Sequence, residues 1–251
     1  MTSLDVDHFV SRANWLGRSL RWPLDRLPKE MAMPILSGPL LAQRWIVGAG
    51  IHRCWLGTYE RQKQHAIAKH LERGMVACDI GANAGFYSLL MARAVGKEGF
   101  VYAFEPQPEN LIYLRRHLQL NAARNVVASG EAIADFVGEA NFAANRNSYQ
   151  GSLDAGGNIR VPVVTLDHLF AIGRLQPADL MKIDVEGAEL GVLKGAQKFL
   201  KRFRPVLFLA THGTDVHRHC CEFLRDCGYR LRTLDGDSDV SRVDEVVAST
   251  R

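Results

Sequence analysis

The sequence predicts an α/β fold: a seven-stranded, mostly parallel sheet with helices on both faces, preceded by an N-terminal extension. Three observations carry the prediction. Apolar runs end in an acid three times, at Asp79, Glu105 and Asp184. A helix-like stretch follows each acid. The first turn is punctuated by Gly81 and Gly85, which let the backbone bend sharply and approach a ligand. In open α/β sheets, strand ends of this kind line a binding crevice.

The extension is assigned to residues 1–58 and the α/β domain to residues 59–251. Val6, Phe9, Val10, Ala13, Leu16 and Leu20 recur at three-to-four spacing, which predicts an amphipathic helix. With Trp15, Trp22 and the dispersed Arg12, Arg18, Arg21 and Arg26, it is expected to pack on the domain or on a second copy of the chain, not on a membrane. Pro23, Pro28, Pro34 and Pro39 make residues 23–54 loop-rich. A helix from about Tyr59 to Arg73 leads into the first core strand.

That strand ends at Asp79, and the turn 81–85 opens a helix over residues 86–94. The turn is not the dinucleotide fingerprint G-x-G-x-x-G, because Asn83 and Phe86 occupy the second and third glycine positions. The second strand, Phe100–Phe104, ends in Glu105-Pro106. An acid roughly 20 residues past such a glycine loop accepts ribose hydroxyls in nucleoside-binding folds. A carboxylate suits the task because it is acceptor-only and takes two donors at once. The next helix spans about Glu109–Asn121, with Leu111, Leu114 and Leu118 on one face. A third strand follows at Asn125–Ala128. Residues 135–162 read as an inserted hairpin, around Glu139–Ala143 and Asn158–Val164, with Asn147, Ser148 and Tyr149 in its loop. Leu180–Ile183 is a further strand, and alternation puts Lys182 and Asp184 on one face of it. Lys182 is either half of an ion pair with Asp184 or Glu186, or a substrate contact. A helix runs from about Gly187 to Leu200, and the sheet is expected to end in a strand pair at Val206–Ala210 and Tyr229–Leu234.

Asp79–Ser88, Ala103–Asn110, Val163–Asp167 and Lys182–Glu189 resemble, in order, the successive motifs of FkbM-type methyltransferases, and Trp55–Glu60 resembles the segment ahead of them. The resemblance covers roughly residues 55–235. It implies a Rossmann-like class I methyltransferase fold, S-adenosyl-L-methionine as cofactor, and O-methylation of a sugar, glycan or small-molecule hydroxyl. Carried over by position, it implies cofactor contacts at Tyr59, Glu60, Asp79, Gly81, Asn83 and Gly85. Further contacts are implied at Glu105, Asn110 and Asp184, with Glu131 or the backbone at Ala132 meeting the adenine amine. Many members end the next strand in an acid, whereas this chain reads Phe208-Leu209-Ala210-Thr211-His212.

Methyl transfer to a hydroxyl needs a base that titrates near working pH, which favours His212. Lys182, Asp184 and Glu186 complete the expected catalytic group. No metal is expected. The alternatives are metal-assisted transfer through Asp184, Glu186 and Glu189, or a cofactor-binding module without catalysis. His217, His219, Cys220 and Cys221 read more economically as a helix than as a metal site. Composition agrees with an enzyme of this class. The 251 residues are 47% hydrophobic, enough for a sizeable core, and the net charge of +4 with no basic arm argues against nucleic acid. Five cysteines, without a C-x-x-C, favour a reducing, cytoplasmic compartment. The apolar stretch from Met31 to Ile51 is broken by Pro34, Gly38, Pro39, Gln43, Arg44 and Gly48 and is not expected to span a bilayer.

Overall fold

The computed structural model describes residues 24–144, 151–153 and 156–250. The expected N-terminal helix and the loop carrying Asn147, Ser148 and Tyr149 lie outside them. Two short antiparallel strands, β1 (Ala32–Pro34) and β2 (Arg44–Ile46), precede helices α1 (His52–Leu56) and α2 (Arg61–His70). The alternating units follow: β3 (Val76–Ile80), α3 (Phe86–Val95), β4 (Phe100–Phe104), α4 (Pro108–Leu120) and β5 (Val126–Ser129). An insertion supplies β6 (Ala132–Ile133), β7 (Gly138–Ala144), β8 (Gly151–Leu153) and β9 (Ile159–Val164). The chain then forms α5 (Leu166–Ala171), β10 (Leu180–Ile183), α6 (Glu189–Gly195), α7 (Gln197–Phe203), β11 (Val206–Ala210), α8 (Thr214–Asp226), β12 (Arg230–Arg232) and β13 (Glu245–Ser249).

The main sheet has seven strands in the order β12-β13-β11-β10-β3-β4-β5. The five from β11 to β5 are parallel, and β13 is antiparallel to both of its neighbours. The mostly parallel, seven-stranded sheet read from the sequence is therefore present. The expected pairing at its end is corrected. β12 does not touch β11, because β13 enters between them. The polar, aspartate-rich stretch before β13 hides a short strand whose residues alternate between half-buried and fully buried, with Val246 and Ala248 inside. The long helix expected after Asp184 is also two helices, divided at Ala196.

Each central strand is buried on both faces, as parallel sheets covered by helices must be. Ala77, Val101, Ala103, Leu180 and Phe208 pack under α2, α3 and α4. Cys78, Tyr102, Met181, Ile183, Leu207 and Leu209 pack under α5–α8. The helices on the first side start and stop for local reasons. Pro108 sits in the first turn of α4, where no amide donor is needed, with Glu109 at the positive end of the helix. Gly96, past α3, adopts a positive φ. Ile35, Leu40, Trp45, Ile46 and Trp55, all ahead of residue 59, are buried in the same cluster as α2–α4. The insertion forms its own four-stranded sheet in the order β6-β9-β7-β8, around Phe142, Val161 and Val163. No helix among the described residues is long and apolar enough to cross a membrane.

His117 on α4 fastens the β2 segment to the glycine turn. It is fully buried and stacks on Trp45 at 3.8 Å. Its Nε2 accepts the Ile46 amide at 2.9 Å, so the proton of the neutral ring sits on Nδ1, which donates to the Ala84 carbonyl at 2.7 Å. Burial pushes its pKa down from 6.5 to about 4. The folded state thus resists protonation more than the unfolded chain does. This stabilisation, on the order of 3 kcal/mol, is complete above the unfolded pKa and is lost as pH falls through 6.5 toward 4. Urea melts at pH 7 and pH 4.5 should show the loss, with a much flatter dependence for His117→Gln. Equal pH dependence in the two proteins would assign the loss to other groups.

Candidate active site

The turns leaving β3, β4 and β10 converge at the carboxyl ends of the strands. Gly81, Asn83 and Gly85 have φ of 76°, 50° and 90°. A Cβ on Gly81 would stand 1.8 Å from the Asp184 carbonyl oxygen, so a side chain there would push the first and third turns apart. Asn83 tolerates the left-handed backbone and accepts the Ala84 amide on its own Oδ1 at 2.7 Å.

Above these turns lies a cavity of about 750 Å³, a size ordinary for cofactor sites. Gly81, Asn83, Glu105, Asn110, Ala132 and Tyr59 all line it. Glu105 is only 5% exposed. Its Oε2 accepts the Asn83 amide at 2.7 Å and its Oε1 the Gln107 amide at 2.9 Å. Each oxygen keeps acceptor capacity for a ligand hydroxyl. Burial pushes Glu105 up to about 7, against the pull of those amides and of the Asn110 side chain. Apolar Ile80, Phe104, Ile133 and Phe142 complete the part of the wall suited to a flat base, and Trp45, Val47 and Ile51 close another side.

Asp79 is placed under the cavity, not on its wall. It is fully buried, accepts Ser88 Oγ at 2.6 Å and pairs with Lys182 Nζ at 3.2 Å. The β3–β10 register puts the two residues directly opposite each other. Lys182 also donates to the Gly81 carbonyl at 2.7 Å and lies 3.7 Å from Asp184 Oδ2. Burial alone would lower its pKa, but Asp79 and Asp184 hold it above the ordinary lysine value. The pairing alternative for Lys182 is therefore present, with Asp79 as a partner that alternation along a single strand could not reveal. Glu131 lines the cavity, but Arg174 holds both its oxygens, at 2.9 and 2.7 Å, and Ser129 Oγ donates to it at 2.7 Å. Burial would raise Glu131, but these donors win and lower it.

A second cavity, of about 620 Å³, adjoins the first. Tyr59, Asp184 and Glu186 line both. The second is polar, with Glu60, Lys63, Thr211, His212 and Glu245 on its wall. Glu186 has a left-handed φ of 53°, an uncommon conformation for a glutamate, which turns the chain between β10 and α6. Glu60, also left-handed, accepts the Tyr87 hydroxyl at 2.6 Å.

His212 follows β11 and is held by three acids. Its Nδ1 lies 2.7 Å from Glu189 Oε1, and its Nε2 lies 3.4 Å from Glu186 Oε2 and 3.8 Å from Asp184 Oδ1. Burial lowers its pKa, but the Glu189 bond and the charges of Glu186 and Asp184 outweigh burial and raise it above 6.5. The expected catalytic group of His212, Lys182, Asp184 and Glu186 is thus assembled in one place.

The sequence reading missed several members of this site. Lys63, on the buried side of α2, lies 3.3 Å from Glu60 and 3.8 Å from Asp184 and bonds Glu245. Glu60 is a local i,i+3 partner, but Asp184 and Glu245 come from distant segments that no local pattern marks. Ligand-capable atoms of Asp184, Glu186 and His212 lie within 4.8 Å of one another. Lys63 and Lys182 already neutralise Asp184, and its pKa is low because their charges outweigh burial. The geometry of the three residues could hold a metal ion, and Asp184 is already paired with both lysines. His217 does not face it: it bonds Thr211 Oγ1 at 2.9 Å and the Val240 carbonyl at 2.8 Å, tying α8 to the loop before β13.

Residues 79–231 match the family described as the methyltransferase FkbM domain. The hexuronic acid methyltransferase AglP of Haloferax volcanii is 24% identical over 151 residues, 59% of this chain and 61% of the relative. A protein-L-isoaspartate O-methyltransferase of Methanothrix thermoacetophila is 26% identical over 116 residues, 46% of this chain and 55% of that protein. The crystal structure of an FkbM methyltransferase from Methylobacillus flagellatus superposes with a TM-score of 0.49 at 20% identity, over 72% of this chain and 44% of that one. The chain spans about three fifths or less of the length of these proteins.

Proposed function

The chain belongs to the FkbM methyltransferase domain family, and from that premise we propose that it transfers a methyl group from S-adenosylmethionine to a hydroxyl oxygen of a sugar, glycan or small hydroxylated metabolite. One observation carries the reading. A cavity with a ribose-type acceptor, Glu105, and a polar cavity with a base, His212, share Tyr59, Asp184 and Glu186 as a common wall. A donor held in the first cavity and an acceptor held in the second would meet at that wall. The relative whose name specifies a hexuronic acid favours the sugar end of this range.

When bound, S-adenosylmethionine supplies an electrophilic methyl group on a sulfonium. The rest falls to the chain. Glu105, held by the amides of Asn83 and Gln107, accepts the two ribose hydroxyls. The 81–85 turn lets the backbone approach, and Asn110 braces Glu105 from α4. The backbone at Ala132 is the better candidate for the adenine amine, because Arg174 and Ser129 already engage Glu131. Lys63 and Lys182 fix Asp184 at the junction. Asp79 acts from below by holding Lys182. His212 Nε2 takes the acceptor's proton, and the acids around it stabilise the imidazolium that results. Alignment of oxygen and methyl across the shared wall supplies much of the remaining acceleration.

All five cysteines are free and buried, which supports a reducing, cytoplasmic setting. An oligomer contact through the N-terminal extension would fall on residues outside those described. Incubation with methyl-labelled cofactor and a panel of uronic acids, neutral sugars, glycolipids and hydroxylated metabolites tests the reading. Label should appear as a base-stable methyl ether of one acceptor class, whereas a base-labile methyl ester would show transfer to a carboxylate instead. Cofactor binding without transfer to any of them would favour a binding module. Turnover should persist within about twofold after exhaustive chelation, because the proposed chemistry uses a base and positioning. Activity lost to chelator and restored by magnesium would show a metal-assisted reaction instead.

A further inference from the structure

Glu189 opens α6 and is fully buried. A carboxylate in that setting costs several kcal/mol unless its charge is used. One oxygen, Oε1, lies 2.7 Å from His212 Nδ1 and accepts the Gly187 amide at 3.0 Å. The other, Oε2, is enclosed without a hydrogen-bond partner. Val192 and Leu193 on the same helix are core residues, and the Cys220 thiol on α8 feels the carboxylate's charge. Among the described residues, His212 is the one ionisable side chain the carboxylate is seen to bond.

We infer that Glu189 is a positioning residue for the base, holding His212 as the Nδ1–H tautomer so that Nε2 is the free acceptor on the cavity side. The inference rests on the reading of His212 as the base. An ionised carboxylate only accepts, so the short contact requires Nδ1 to carry a hydrogen. The neutral ring then has its lone pair on Nε2, the nitrogen that faces Asp184 and Glu186. In the reaction the acceptor's O–H bond breaks and its proton goes to Nε2. The oxygen forms the new bond to the methyl carbon, and the pair of the breaking carbon–sulfur bond stays with the donor's sulfur. Glu189 remains ionised throughout and stabilises the imidazolium.

Other charges also face the ring. Asp184 and Glu186 approach from the end of β10 and the loop after it. Across the second cavity stand Arg53 from α1, Glu60, Arg61 and Lys63 around the start of α2, and Asp244 and Glu245 at the start of β13. Glu189 differs from these in being fully enclosed and bonded to the ring nitrogen that points away from the cavity.

Glu189→Gln keeps an acceptor of the same shape and removes the charge. Turnover should fall by about 10-fold or more, because the amide no longer fixes the tautomer or stabilises the imidazolium. The acid limb of the kcat/KM profile should move to lower pH, with the KM for S-adenosylmethionine unchanged. A structural role alone would reduce the melting temperature and leave the limb in place. Nitrogen-15 NMR of the wild-type protein, taken above the histidine pKa, gives a reading that depends neither on the variant nor on turnover. His212 should show a protonated Nδ1 and a bare Nε2, and the opposite tautomer would overturn the proposal. If His212→Ala keeps its activity while the tautomer is as stated, the base assignment fails and the geometry of the pair stands.

Discussion

Replacing His212 with alanine is expected to lower turnover by about 100- to 10,000-fold, the usual size of a general-base effect. Affinity for S-adenosylmethionine should hardly change, because Glu105 and the 81–85 turn lie in the other cavity. The imidazole must be neutral to take a proton. The Glu189 bond and the acids around it outweigh burial and raise its pKa, so the wild-type rate should climb with pH through a value above the histidine norm of 6.5. The variant should lose that limb. Initial rates against pH, with calorimetric titration of the cofactor, measure both. Near-normal turnover would leave His212 structural. Lys182 would be a poor substitute, since its neighbours hold its proton. Glu186 and Glu60 would be the groups to examine next.

Glu105→Ala should weaken cofactor binding by about 100-fold or more. Two hydroxyls donating to a carboxylate contribute about 1.5–3 kcal/mol each, and both contacts vanish with the side chain. Burial pushes the Glu105 pKa up to about 7. Ribose donors favour the ionised form, so binding should expel a proton near neutrality. Wild-type affinity should therefore rise between pH 6 and 8 and level off above it, while the variant shows a flat profile. The sign for stability is the reverse: a raised carboxylate pKa stabilises the empty protein at low pH, and that contribution fades as pH rises through 7. Calorimetry at three pH values tests the point, and unchanged affinity in the variant would remove the ribose role.

The parts of this site that lie along one strand and its turn were legible in the sequence. Glycine spacing, the acid at each strand end and the order of the motifs point to the first cavity, because a parallel strand places its last residue in the crevice wherever its neighbours lie. The partners across strands were not legible. Asp79 reads as a wall residue until the register shows Lys182 opposite it. Lys63 looks like any helix lysine until α2 is laid over the strand ends. Glu189 lies only five residues beyond Asp184, yet its bond to His212 depends on β11 lying beside β10. His117 escapes notice for the same reason, since its acceptor role needs the β2 segment folded back on α4.

The insertion of β13 between β11 and β12 bears on how the molecule assembles. β3, β4 and β5 join through a contiguous stretch, residues 76–129, and with it the Glu105 end of the crevice takes shape. The His212 end cannot be completed in that way. Thr211 is anchored to the Asp244 carbonyl at 2.8 Å, and β11 finds its outer neighbour only after α8 and β12 have been traversed. Non-local pairing carries the larger loop-closure entropy and is the slower event. The Glu105 end of the crevice thus rests on strand pairing between near neighbours in sequence, while the His212 end depends on the last strand of the sheet being in place.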